Sequence, residues 1–289
     1  MGRADSWFRA DDAAYDIVEA VYTDLKREGC VPVFPLVELY QDADVEFAFK
    51  KALAQRIRDF YQVLAALGVP DQEGWPVEFS PSYTWEETRR WLDQAGICWK
   101  TPDNVVIKQG FNAVSIKLGA LLHWLRWFCI LAALPFWIFC RLRWLARSAT
   151  VPQPVQTAIR VYTTDWGFRG EGTREIDWLL DGKELHQDNT LFVIEKPVPE
   201  KYRAEFAARH YRVADVSGPP GLLLPGLGAW IKLLSASLRA SGLFVEVAAR
   251  GWLDYLRWTA FLERWRPHHY VAYNHFHYDH VFRNSRLRS

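Results

Sequence analysis

Apolar positions in the first hundred residues recur at helical rather than strand spacing. Val18, Val21, Tyr22 and Leu25 share one side of a helical repeat, as do Leu53, Ile57, Phe60, Tyr61 and Leu64. Each stretch therefore predicts an amphipathic helix that turns an apolar side to a core. A third helix is expected from Thr84. Thr84 and Glu87 stand at the spacing of a capping box, Trp85 to Leu92 supplies the body, and Gly96 lies just past the end. Pro32, Pro35, Pro70 and Pro76 punctuate the connections, because a proline lacks the N–H that a helix interior needs.

The pattern changes between Lys117 and Arg147. Trp127 to Cys140 is an uncharged run bounded by Arg126 on one side and by Arg141, Arg143 and Arg147 on the other. A full membrane span needs roughly 20 apolar residues. This run is shorter and contains Pro135, so an interfacial or re-entrant helix is expected in preference to a spanning one. Adding Leu118 to Leu125, with Arg126 snorkelling, would make a span feasible. A buried core helix is the third reading. Trp124, Trp127, Trp137 and Trp144 alternate with Arg126, Arg141 and Arg143, a pairing that suits a lipid headgroup layer better than a dry core.

After the proline-bearing linker Val151 to Pro154 the period becomes strand-like. Ala158 to Tyr162 and Thr190 to Glu195 are short apolar runs, with a further element at Ile176 to Gly182 closed by an Asp-Gly turn. A helix opened by proline, Pro199 to His210, leads into Tyr211 to Asp215, which gives strand, helix and strand at the spacing of a βαβ unit. Helices are expected over Leu227 to Leu238 and Leu243 to Trp265, and a last strand over Tyr270 to Tyr273. The fold class expected is α/β: a helical region over residues 1–115, a basic apolar membrane-associated helix over 116–150, and a Rossmann-like parallel sheet over 151–289.

Charge sharpens this picture. The chain of 289 residues carries a net charge of only +1, so no protein-wide field argues for nucleic acid. Its distribution is uneven. Met1 to Asp103 holds 11 Lys/Arg against 19 Asp/Glu, while Asn104 to Thr164 holds seven Lys/Arg and no acid. A basic stretch containing the greasiest part of the chain points to anionic lipid. Four cysteines, Cys30, Cys98, Cys129 and Cys140, form no CxxC pair, which fits a reducing compartment. The N-terminus has no apolar signal-like run.

Open parallel sheets bind ligands beyond the C-terminal ends of their strands. Asp165-Trp166-Gly167 follows the first expected strand, Glu195-Lys196-Pro197 the second, and Asp215-Val216-Ser217-Gly218 the third. Each is a candidate site or a plain polar loop. No GxGxxG or GxxxxGK[ST] is present, so a dinucleotide or P-loop site has no support. The tail reads HxHxDH through His275, His277, Asp279 and His280. Imidazoles and a carboxylate at that spacing could hold zinc ions and activate water in a metal-dependent hydrolase. The alternative is a set of histidines lining a wet loop.

Several pieces in order carry a resemblance: the basic apolar helix, AIRVYTTDWG, EIDWLLDGKEL, DNTLFVIEKPVPEKYRAEFAARHYRVADVS and YVAYNHFHYDHVFRN. Together, over roughly residues 115–289, they resemble bacterial surface-carbohydrate biosynthesis proteins of GT-B glycosyltransferase architecture. The resemblance implies the acceptor-side half of such an enzyme, docked on the cytoplasmic face of the inner membrane, with a lipid-linked glycan as acceptor. It also implies a nucleotide-sugar donor held by a separate donor-binding domain, which this chain does not contain. Asp165 and Glu195 would be the candidate general bases, with Trp166 and Gly167 beside them. Tyr273, Asn274, His280, Arg283 and Asn284 would line the cleft between the domains. A non-catalytic membrane-associated binding module is the reading that needs no second domain.

Overall fold

The computed structural model describes residues 3–32, 45–67, 77–79, 82–101, 105–107, 113–145, 154–160, 185–186, 188–194, 200–216 and 227–272. Among these are seven helices and six strands, a mixed α/β fold. The chain divides into two compact units, Met1–Ala133 with Pro225–Gly251, and Leu134–Leu224 with Trp252–Ser289. The residues from Pro225 to Gly251 cluster with the N-terminal helices.

The first unit is built on α1 (Arg3–Arg27), α2 (Val45–Leu67) and α3 (Tyr83–Gln94). The helical repeats seen in the sequence are the buried sides of α1 and α2: Val18, Val21, Tyr22 and Leu25 on the first, and Leu53, Ile57, Phe60 and Leu64 on the second, are all buried. Burying each such side chain contributes roughly 1.5–3 kcal/mol, and aromatic contacts tie the pieces together, with Tyr22 and Phe49 at 5.9 Å and Phe60 and Trp85 at 4.2 Å between ring centroids. Two short strands, β1 (Val77–Phe79) and β2 (Val105–Ile107), pair in parallel.

Helix α3 starts earlier than the capping pattern predicts. Its N-cap is Ser82, whose hydroxyl accepts from the backbone N–H of Trp85. Thr84 therefore lies inside the first turn, and its carbonyl accepts from the Thr88 hydroxyl. Glu87 is freed from capping and turns to Arg56. The C-terminus is as expected: Gly96 has φ +68, and the N–H of Ile97 bonds back to Leu92 O, the Schellman arrangement in which glycine meets no steric penalty.

Helix α4 (Ala113–Leu145) runs without interruption through Pro135. After residues 227–237 form α6 (Leu227–Ser237), α7 (Gly242–Trp265) follows. The apolar start of α7 completes the first core, with Phe244 6.5 Å from Phe49.

The second unit contains β3 (Thr157–Arg160), β4 (Thr190–Ile194), α5 (Glu200–Ala208), β5 (Val213–Asp215) and β6 (His269–Val271). All pairings are parallel and the order is β5-β4-β3-β6. Both faces are covered. Ala158, Leu191 and Val193 pack with Trp258, Phe261 and Trp265 of α7, while Ile159, Phe192 and Ile194 pack with Phe206 of α5. This explains why β4 is buried along its whole length and reads as a continuous apolar run. The element expected over Ile176 to Gly182 lies outside the described residues.

Candidate functional site

Helix α4 carries the feature that stands out from ordinary packing. Val114, Leu118, Leu121, Leu122 and Leu125 are between 38% and 73% exposed. At the helical repeat they fall within roughly 100° of arc, a full amphipathic stripe, but one facing away from the core. Lys117 and Arg126, both exposed, stand at its two edges. Val114–Ala133 is long and apolar enough to cross a membrane by length and composition, and only 6% of its most apolar window is buried.

The opposite side of α4 is attached by polar groups. The Tyr83 hydroxyl and His123 Nδ1 are 2.6 Å apart, and His123 Nε2 lies 3.1 Å from Glu246 Oε2. A glutamate carboxylate can only accept, so Nε2 carries the proton in the neutral ring and Nδ1 accepts from Tyr83. Glu246 also takes Arg56 at 2.9 Å and Arg250 at 2.7 Å. Burial opposes its ionisation, but the hydrogen bond from His123 and the two guanidinium groups outweigh it and hold its pKa at about 2. Burial pushes the Tyr83 phenol up. The connectivity is that of a carboxylate-oriented imidazole, and its effect here is to fasten α4 to α2, α3 and α7.

Small residues permit this approach. A Cβ at Gly119 would come 3.2 Å from Tyr83 Cβ, and one at Gly242 would come 3.2 Å from the His123 ring. Two further bonds bind α4 antiparallel to α6, from the Trp124 indole to Ser237 O and from the Trp230 indole to Leu131 O, each 3.1 Å. Helix α6 contains no acid and exposes Ile231, and Leu238 just past its end is exposed too.

The sequence-based candidates divide accordingly. Trp124 and Trp127 are half-buried: Trp124 stacks on Phe128, and the Arg250 guanidinium lies 4.9 Å over Trp127. Leucines rather than these tryptophans form the exposed stripe, and of the membrane candidates with described side chains Arg126 stands beside it. Trp137, Arg141, Arg143 and Trp144 belong to the second half of α4. Asp165, Trp166, Gly167, Glu195, Tyr273, Asn274, Arg283 and Asn284 lie outside the described residues, as do His275, His277, Asp279 and His280. Among the described residues no group of three or more His, Cys, Asp or Glu could hold a metal ion.

Sequence reasoning missed Tyr83, His123, Glu246, Arg56 and Arg250, which are far apart in the chain. The available signal was Gly119, His123 and Trp127 at intervals of four in an apolar segment. Comparison with family models, with curated proteins and with solved structures finds no match to this chain.

Proposed function

We propose that this chain is a membrane-surface protein whose α4 stripe lies in the headgroup layer of an anionic bilayer. The observation that carries the reading is the exposed row Val114, Leu118, Leu121, Leu122 and Leu125, flanked by Lys117 and Arg126. Charge favours this occupant, since no acid occurs between Asn104 and Thr164 and each Lys or Arg near an anionic surface contributes about 1 kcal/mol. Burying the leucines adds roughly 0.8 kcal/mol per CH₂ removed from water. The Tyr83, Glu246 and Arg250 contacts favour a helix lying on the surface over one that spans. A spanning α4 would have to break them or carry those charges into hydrocarbon.

The sequence resemblance extends the reading to the acceptor-side half of a GT-B glycosyltransferase in bacterial surface-polysaccharide synthesis, working on a lipid-linked glycan at the cytoplasmic face. The order β5-β4-β3-β6 among the described strands supports a Rossmann-like sheet, because in a doubly wound sheet the first strand likewise lies between the second and the fourth. Holding such an enzyme on the bilayer keeps its cleft at the plane where a lipid-borne acceptor diffuses.

Vesicle sedimentation tests the docking. The protein is expected to pellet with phosphatidylglycerol-containing vesicles and to remain in the supernatant when Leu118 and Leu122 are both changed to Glu, with an unchanged melting temperature because both sites are exposed. Equal pelleting of the two proteins refutes the docking. Glycan synthesis in a deletion strain carrying D165A or E195A tests the chemistry, and normal synthesis in both removes the proposed bases.

A further inference from the structure

The outer side of α4 does not stand alone. Helix α6 lies antiparallel to it, pinned by the Trp124 indole to Ser237 O and by the Trp230 indole to Leu131 O. The second bond has a cause in the sequence. Pro135 has no N–H to offer the carbonyl four residues back, and that carbonyl belongs to Leu131. The Trp230 indole supplies a donor in its place at 3.1 Å, so α6 completes a bond that α4 cannot make for itself.

The helical repeat decides which residues share a face. Each step along a helix turns by about 100°. In an antiparallel pair, an equal turn in the same sense leads from the contact to the same outer side on both helices, because the reversed direction and the reversed contact side cancel. Leu125 is one step past Trp124, Ile231 is one step past Trp230, and Leu238 is one step past Ser237. These three are 38%, 53% and 61% exposed. Ile231 and Leu238 therefore continue the leucine stripe of α4 onto α6. Lys232 and Arg239, both exposed, border the extension, and no Asp or Glu occurs from Val216 to Val245.

We propose that α6 is a second membrane-contacting helix, and that α4 and α6 enter the headgroup layer of an anionic bilayer as one two-helix face. This rests on the docking of α4 proposed above and extends it to a helix that α4 docking alone leaves in water. Charge selects the occupant. Lipid phosphates complement the cations on both helices, whereas a second copy of the chain would set those cations against their own equivalents, with no acid in either helix to pair them. Lipid also gives the Trp230 bond its importance, since a carbonyl freed by proline finds no water in hydrocarbon.

Sedimentation of the full chain with phosphatidylglycerol-containing vesicles and with pure phosphatidylcholine vesicles tests the proposal. Ile231→Gln with Leu238→Gln should lower the partition coefficient on the anionic vesicles about tenfold, with an unchanged melting temperature because both sites are exposed. Lys232→Gln with Arg239→Gln should lower it about tenfold on the anionic vesicles and leave the weaker binding to phosphatidylcholine unchanged. If Leu118→Glu with Leu122→Glu releases the protein while I231Q/L238Q pellets as the parent does, α4 docks alone and the two-helix face is refuted. A parent that stays in the supernatant refutes the docking of α4 and the two-helix face together. A concentration-dependent dimer that I231Q/L238Q dissolves assigns the face to a second copy and overturns the lipid partner.

Discussion

Two carboxylates share Arg56, which favours the ionised form of both, yet their net shifts are opposite. Glu87 has Arg56 at 2.9 Å, yet burial outweighs that attraction and pushes its pKa up. Glu246 is opposed by burial too, but His123, Arg56 and Arg250 together pull it down to about 2. A carboxylate depressed in the folded state contributes stability that is present above its ordinary value of 4.5 and lost as pH falls towards 2. The stability lost in Glu246→Gln should therefore be full at pH 6 and shrink between pH 4.5 and about 2, read as denaturation midpoints of variant and parent; a gap constant over that window refutes the ion cluster. Gly119 allows a second test. An alanine in mid-helix gains about 1 kcal/mol over glycine, but here its Cβ would press on Tyr83 Cβ at 3.2 Å. G119A should thus fail to stabilise, and a gain of a full kcal/mol would show that Tyr83 moves freely. None of this cluster was legible beforehand, because periodicity reports which face is apolar and says nothing about which distant polar groups meet.

At the scale of elements the sequence was most readable where one face is buried. α1 and α2 follow their apolar repeats, and β4 follows its continuous apolar run, because burial is what those patterns record. Helix α4 inverts the rule, since its leucine stripe is as regular as theirs but faces outward. Composition could see the grease and not its direction. The start of α3 was misplaced by two residues because Ser82 and Thr84 are both competent caps; their hydroxyls lie 2.8 Å apart and only Ser82 has the extended backbone of an N-cap. Chemical denaturation separates them: S82A should cost about 1 kcal/mol and T84A clearly less. For α4 itself, screening gives a further expectation. Changing Lys117 and Arg126 to Gln should weaken vesicle binding at low salt and matter little at 1 M salt, where the Debye length falls to about 3 Å, whereas the leucine changes should abolish binding at both. A salt-independent effect of the charge changes would mean that they act through packing.

For the whole molecule, the parallel sheet was legible because β-strand, helix and β-strand alternate in the sequence, but the contacts between distant segments were not. Residues 225–251 join the N-terminal helices through contacts such as Phe244 with Phe49 and Glu246 with Arg56, pairings that no local pattern encodes. Each unit nevertheless has its own apolar core: Phe49, Leu53 and Ile57 are fully buried in one, and Phe192, Leu191 and Ile194 in the other. Removing a buried phenylalanine costs about 3–5 kcal/mol, and chains with separate cores commonly unfold in more than one step. Calorimetry should accordingly resolve two transitions, with F192A lowering one and F49A the other. If either substitution shifts both transitions equally, the cores unfold as one cooperative body and the stability of the sheet cannot be assigned to its own contacts.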